Sequence, residues 1–221
     1  MVLLESLWQI LFPPKCVLCG KLLEKEETDL CRGCRCDTPE FPKSNLKLPY
    51  LAHWCALWYY EGNIRRSILR FKFHGARSYA ETYGRLIAMK LLSEDISFDI
   101  LSWVPISRLR KWRRGYDQVQ LIAEAVGWEL GITPQPMLKK IRNNRPQSRL
   151  GNAAQRRANV LGAYRLVENA PVQGKRILLL DDIITTGATA GECARMLLTA
   201  GAKEVSCAAV AAASHHNKTS R

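Results

Sequence analysis

Residues 175–189 read Lys175-Arg-Ile-Leu-Leu-Leu-Asp-Asp-Ile-Ile-Thr-Thr-Gly-Ala-Thr189. Residues 177–180 form an apolar run of strand length. Asp181 and Asp182 follow at once, then Thr185, Thr186, Gly187, Ala188 and Thr189, then a helix-compatible stretch over 191–201. The order is strand, acid pair, hydroxyl-rich turn, helix. At such a junction the free N–H groups and the dipole of the helix start attract a phosphate. The threonine hydroxyls add donors, and glycine lets the backbone approach closely. Two carboxylates do not favour a phosphate by charge. They suit sugar hydroxyls, as acceptors, or a metal carried by the ligand. Phosphoribosyl pyrophosphate (PRPP) has all three parts: a 5′-phosphate, a ribose diol and a magnesium-bound pyrophosphate.

The stretch resembles the PRPP-binding motif of type I phosphoribosyltransferases, in which an apolar strand and two acids precede T-x-G-x-T. A plain strand–turn–helix unit explains less, because a single helix cap needs neither two adjacent acids nor three threonines. No lysine follows the glycine, so the segment is not a Walker A loop.

The 221 residues suffice for one moderate domain and a small module, and 47% apolar content suffices for a core. No apolar run approaches the ~18 residues of a membrane helix. The start, Met1 to Phe12, has Glu5 where a signal peptide is basic, so the expectation is a cytoplasmic protein. The net charge of +13 is uneven: residues 61–160 hold nineteen basic and eight acidic side chains, whereas residues 1–60 hold seven of each. A field concentrated in the middle attracts polyanions such as pyrophosphate, nucleotides or nucleic acid. Lys139, Lys140, Arg142, Arg145, Arg149, Arg156 and Arg157 follow one another with no acid between them. They are the candidate contacts to single-stranded nucleic acid.

Leu4, Leu7, Trp8 and Leu11 have helical spacing, which predicts a short amphipathic helix over 3–11 that packs on its own core. Cys16-x-x-Cys19 and Cys31-x-x-Cys34 follow. Two such knuckles can wrap four thiolates around a zinc ion, and four sulfur ligands leave no open position, so the metal is structural. Residues 37–53 are rich in proline and polar side chains and read as a linker. The predicted domains are therefore 1–50 (helix, ribbon, linker) and 51–221.

Strands are predicted over 54–60, 99–106, 137–141, 160–167, 177–180 and 204–212, and helices over 61–73, 79–92, 116–130 and after Thr189. Residues 142–155 read as a loop. The alternation argues for an α/β domain with a largely parallel sheet. In such sheets ligands bind beyond the carboxyl ends of the strands. Three segments are expected there: 107–116 with its five basic residues, 142–159, and 181–189.

The whole chain resembles the ComF family. The match is carried by the four cysteines, Val104-Pro105-Ile106-Ser107, Arg114-Gly115-Tyr116-Asp117-Gln118, the R-x-x-R-P-Q-x-x-L run over 142–150, Arg157-x-Asn159-Val160, Gly162-Ala163-Tyr164 and the PRPP-like motif. Asp117 departs from the asparagine usual there. The resemblance implies a type I phosphoribosyltransferase fold behind a four-cysteine zinc ribbon. It also implies a role in natural competence, in the uptake and processing of single-stranded transforming DNA beside a ComFA-like helicase and other uptake proteins.

If the domain is catalytic, Thr185, Thr186, Gly187, Ala188 and Thr189 hold the 5′-phosphate, and Asp181 and Asp182 accept from the ribose. Ser107 and Arg108 receive the pyrophosphate with its Mg²⁺, and residues 142–150, with Arg149, close over the site. The acceptor stays open. Two other classes fit the same residues. One is a non-catalytic module that binds single-stranded DNA beside a relic pocket, with Trp103, Trp112 or Tyr116 stacking bases. The other is a nucleotide-salvage enzyme with a defined base as acceptor.

Overall fold

The computed structural model describes residues 13–142 and 153–214. The helix expected over 3–11, Arg145, Arg149 and the terminal histidines lie outside the described residues. In chain order the elements are α1 (Arg32–Asp37), β1 (Trp54–Tyr59), α2 (Gly62–Phe73), α3 (Tyr79–Ser93), β2 (Ile100–Trp103), α4 (Arg108–Arg114), α5 (Gln118–Leu130), β3 (Leu138–Lys140), α6 (Ala153–Val160), β4 (Tyr164–Leu166), β5 (Arg176–Ile184), α7 (Ala188–Thr199) and β6 (Glu204–Ala212).

Four strands form one parallel sheet in the order β1-β6-β5-β2. Its two faces follow from the strand pleat. Leu178 and Leu180 of β5 join α2, α3 and α5 in one core cluster. Ile177 and Leu179 join α7 and the β3–β4 pair in the other. Strands buried on both faces read as continuous apolar runs, as residues 177–180 do. Helices α3 and α5 approach closely at Gly84, where an added Cβ would fall 2.3 Å from the Ala125 Cβ.

Several expectations change. Strand β5 continues through both aspartates to Ile184, because Asp181 and Ile183 still pair with β6. Asp181 and Asp182 are therefore buried, at 8% exposure each, rather than sitting at an open strand end. Strand β2 stops at Trp103, since Pro105 has no N–H for a ladder. The expected strand over 160–167 divides at Gly162: α6 ends at Val160 and β4 starts at Tyr164. The Gly162 N–H donates to Glu192 Oε1 (2.8 Å), which fixes that turn. Strands β3 and β4 are antiparallel and stand apart from the main sheet.

The predicted linker is held along its length. The Phe41 N–H donates to the Leu57 carbonyl (2.7 Å), pairing this segment with the outer edge of β1. Trp54 Nε1 donates to the Leu46 carbonyl (2.7 Å), and Leu48 and Leu51 are buried. The first cysteine knuckle also enters the core: Val17 and Leu18 pack in the same cluster as Ile64, Ile68 and Phe71 of α2. Ser67 Oγ donates to the Val17 carbonyl. Arg70 Nη2 donates to the Leu18 carbonyl at 2.6 Å.

Candidate functional site

A cavity of ≈ 880 Å³ opens at the carboxyl edge of the sheet. Residues just past or at the end of all four strands reach it: Tyr60 after β1, Ala213 after β6, Val104 to Ile106 after β2, and Asp181, Asp182, Ile183 and Thr185 at the end of β5. Helices α2 and α4 form one wall. Tyr164, Lys140, Arg156 and Asn159 come in from the β3–β4 side.

The acid pair straddles the sheet. Asp182 continues the Leu178–Leu180 face and Asp181 the Ile177–Leu179 face. Lys72 Nζ lies 2.8 Å from Asp182 Oδ2, and Gln118 Nε2 donates to the same oxygen at 2.9 Å. Arg114 Nη1 in turn donates to Gln118 Oε1 (2.7 Å). Burial alone would raise the Asp182 pKa, but Lys72 and Gln118 bring it below the usual carboxylate value. Asp181 moves the other way: burial, then the Asp182 charge, push it up to about 8. Burial and mutual repulsion thus favour the pair's sharing a proton, with Asp182 the more acidic partner. That answers the objection that two carboxylates would repel a phosphate.

On the Asp181 side, Lys140 Nζ donates to the Tyr164 hydroxyl at 3.0 Å. Burial and Arg110 lower the Lys140 pKa to about 8, and burial raises that of Tyr164.

The hydroxyl-rich turn leads directly into α7. Gly187 occupies the N-cap position with φ +70° and, having no side chain, makes no cap hydrogen bond to the start of α7. An added Cβ there would meet Leu48 at 2.9 Å, so glycine is required by both conformation and packing. Thr185 and Thr189 line the cavity. Thr186 Oγ1 is buried and, among the described residues, meets no hydrogen-bond partner.

Ser107 and Arg108 fall in a second, smaller cleft of ≈ 490 Å³ with Lys139, Lys140, Arg142 and Arg165. Ser107 caps α4 by accepting from the Arg110 N–H (3.4 Å). Asp117 has a structural task. Its Oδ1 accepts from the Val119 and Gln120 N–H groups (3.0 and 3.2 Å), and its Oδ2 accepts from Ile106 N–H (3.3 Å). All three partners are donors, which a carboxylate satisfies with both oxygens. Burial raises its pKa.

The expected basic belt does not form one outer face. Successive strand residues point to opposite sides. Lys139 is half-exposed and pairs with Glu168 (3.7 Å), whereas Lys140 is half-buried against Tyr164. Arg156 on α6 lines the large cavity. Arg145, Arg149 and the side chain of Arg157 lie outside the described residues. Sequence reasoning passed over Lys72, Arg114 and Gln118 as partners of Asp182. The alternation 178-180-182 was the available signal, because it aims Asp182 at α2 and α5.

The four cysteine sulfurs lie within 4.8 Å of one another. Four sulfurs about 2.3 Å from a tetrahedral metal are about 3.8 Å apart, and Cys19 and Cys31 are already 3.6 Å apart. Cys31 caps α1 by accepting from Cys34 N–H (3.5 Å), which orients its sulfur inward. The set can hold a metal ion. Among the described residues it is the one group of three or more metal-type side chains within ligand distance, and no helix is long and apolar enough to cross a membrane.

Residues 143–221 match the family described as "Phosphoribosyl transferase domain". The chain is 26% identical over 215 residues to Competence protein F of Haemophilus influenzae, covering 86% of this chain and 93% of that one. It is 26% identical over 223 residues to Competence protein ComFC of Streptococcus pneumoniae, covering 86% and 96%. To DNA utilization protein YhgH of Escherichia coli K12 it is 31% identical over 144 residues, 62% of each chain. A solved structure titled as the allosteric regulatory enzyme of purine biosynthesis aligns with TM-score 0.41 and 22% identity, over 63% of this chain and 29% of the enzyme. The chain is thus similar to the competence and DNA-utilization proteins of the ComF family, and the domain match with the parallel sheet gives it a phosphoribosyltransferase-like fold behind four clustered cysteines.

Proposed function

We propose that the large cavity binds PRPP or a related phosphoribosyl compound, and that the protein is a phosphoribosyltransferase acting in the uptake and processing of single-stranded DNA. One observation carries this reading. A helix start with no side-chain cap from its N-cap glycine and a partnerless Thr186 hydroxyl lie next to a buried acid pair, with Lys72 and Gln118 on one oxygen of Asp182.

In this reading the N–H groups at the start of α7 and the hydroxyls of Thr185, Thr186 and Thr189 hold the 5′-phosphate. Lys72 and Gln118 both use Oδ2 of Asp182, so Oδ1 accepts a ribose hydroxyl. Asp181 lies beside it and takes the second hydroxyl. Pyrophosphate leaves toward Ser107 and Arg108, where the cations of the smaller cleft stabilise the departing charge. Magnesium arrives with the ligand and supplies further neutralisation of that charge. Arg149 and the run over 142–150 keep their proposed role in closing over the site.

The four-cysteine centre holds a structural zinc ion, the metal best matched to a closed all-sulfur set. The names of the relatives, competence and DNA utilization, support a DNA-linked role, with a helicase and other uptake proteins as partners. Cytoplasmic location fits that role.

The rival DNA-binding reading has its own observation. No side chain of α4 is buried, and Trp112 is 80% exposed among five basic residues. That is a stacking side chain in a cationic setting. Calorimetry of the metal-replete protein separates the two. Saturable PRPP binding in the presence of magnesium, weakened by Thr186→Val, supports the phosphoribosyl site. Salt-sensitive binding of short single strands with no heat from PRPP would leave only the DNA module.

A further inference from the structure

The large cavity has a second half that the phosphoribosyl reading leaves unused. Among the described residues, seven basic and two acidic side chains line it. A magnesium-bound PRPP carries on the order of three negative charges. Basic side chains therefore outnumber acidic ones along the cavity by more than that ligand requires. The surplus is placed away from the phosphate turn, on the two wall helices. Arg65, Leu69, Lys72 and Phe73 form one stripe of α2, at spacings of four, three and one. Arg110, Arg113 and Arg114 form the facing stripe of α4.

Phe73 ends the first stripe and meets the second at Arg114. It is 61% exposed, an unusual state for a phenylalanine lining a cavity. The Arg114 guanidinium lies over its ring, 4.9 Å from the centroid. The same Arg114 holds Gln118, which holds Asp182. A planar ring resting on Phe73 would thus sit two side chains away from the carboxylate proposed to hold the ribose. Both rim arginines, Arg65 and Arg113, are exposed at that mouth.

Resting on the phosphoribosyl reading, we infer that the acceptor half takes a base that already carries a phosphate: a nucleotide or a nucleic-acid terminus, not a free base or a small amine. The base stacks on Phe73, and the phosphate is met by Arg65 and Arg113. Stacking is tolerant of base identity, so any nucleotide probes the subsite.

The experiment titrates the metal-replete protein with adenine, adenosine and adenosine 5′-monophosphate, each with and without saturating ribose 5-phosphate. That sugar phosphate fits the phosphoribosyl half and has no leaving group. The monophosphate should bind ~10-fold tighter than adenosine at ~0.1 M salt. Ribose 5-phosphate should leave its affinity intact. Arg65→Gln with Arg113→Gln should bring the monophosphate down to the affinity of adenosine, and Phe73→Ala should weaken adenosine itself roughly fivefold. All three replaced positions lie at an exposed rim, so the fold is not at stake. Equal affinities for adenine, adenosine and the monophosphate would overturn the inference. So would competition between the monophosphate and ribose 5-phosphate, which would place the nucleotide's phosphate on the α7 turn. If ribose 5-phosphate shows no binding while the arginine-dependent preference persists, the phosphoribosyl reading fails and the anion subsite stands.

Discussion

Nineteen residues, from Cys16 to Cys34, hold all four sulfurs of the candidate metal centre, whereas the side chains lining the candidate ligand cavity run from Tyr60 to Ala213. The first is a local object. Two tight turns bring two pairs of ligands together whatever the rest of the chain does. The second exists only after four strands are in register and five helices have docked. Yet the two are physically joined. Arg70 takes the knuckle carbonyl of Leu18, and two residues later Lys72 takes Asp182. Two residues turn a helix by about 200°, so the knuckle and the acid pair press on opposite sides of the last turn of α2. A local, sequence-legible element thereby sets the position of a residue in the non-local one.

The strongest way to break that picture is Cys16→Ser. Cys16 and Leu18 are fully buried, and the knuckle is part of the main core. Loss of the metal should therefore destabilise the whole chain by roughly 3–5 kcal/mol, the size of a large core truncation. Zinc stoichiometry and denaturant midpoints measure it. A variant that loses metal while the midpoint stays fixed would show that the ribbon is an appendage.

Asp182→Asn comes next. It removes one partner of a buried ion pair and leaves Lys72 uncompensated, at a cost of about 3 kcal/mol. PRPP affinity should fall at least ~10-fold, because the acceptor role is weakened. Adding Lys72→Met should recover stability without recovering affinity. Recovery of both would mean that the acid serves only the ion pair. Gly187→Val is a poorer probe than it looks from the motif alone, since φ +70° and Leu48 make it a folding defect as well.

A smaller effect is expected from pH. Asp181 titrates near 8, raised by burial and the Asp182 charge, and Lys140 near 8, lowered by burial and Arg110. Raising the pH through that value adds a negative charge on Asp181 and removes a positive one from Lys140. Both changes disfavour a phosphate. Affinity for PRPP should fall several-fold between about pH 7 and 9. The opposite slope would mean that the two groups do not face the ligand. The raised Asp181 pKa has the matching consequence for folding: its stabilising contribution is present at low pH and is lost as pH rises through about 8. The smallest change is Trp112→Ala, which should weaken single-stranded DNA binding a few-fold and leave stability unchanged, because the side chain is 80% exposed.

What could be read from the sequence divides along the same line. The knuckle spacing, the parallel α/β class and the strand–acid–threonine order are encoded within single segments, and each appears in the structure. The ends of β5 and β2 were misjudged by a few residues. Aspartates in a strand contradict propensity, and only pairing with β6 keeps them there. The linker reading failed for a related reason. A proline-rich segment such as 37–53 has no periodicity, but Phe41, Leu48 and Leu51 find partners that only the folded sheet provides. Lys72 and Gln118 were hidden because each is an ordinary polar residue on an amphipathic helix until β5 lies beneath it.

The central claim is that the turn into α7 holds a phosphate of the ligand. Amide-resolved NMR of the metal-replete protein, titrated with PRPP and magnesium, tests it directly. Saturable shifts are expected in the N–H signals of Thr185, Thr186, Ala188 and Thr189, the residues on either side of the Gly187 N-cap. Shifts confined to α4 and to Lys139, Lys140 and Arg142, with the α7 turn unmoved, would contradict it and leave the cationic surface as the binding element.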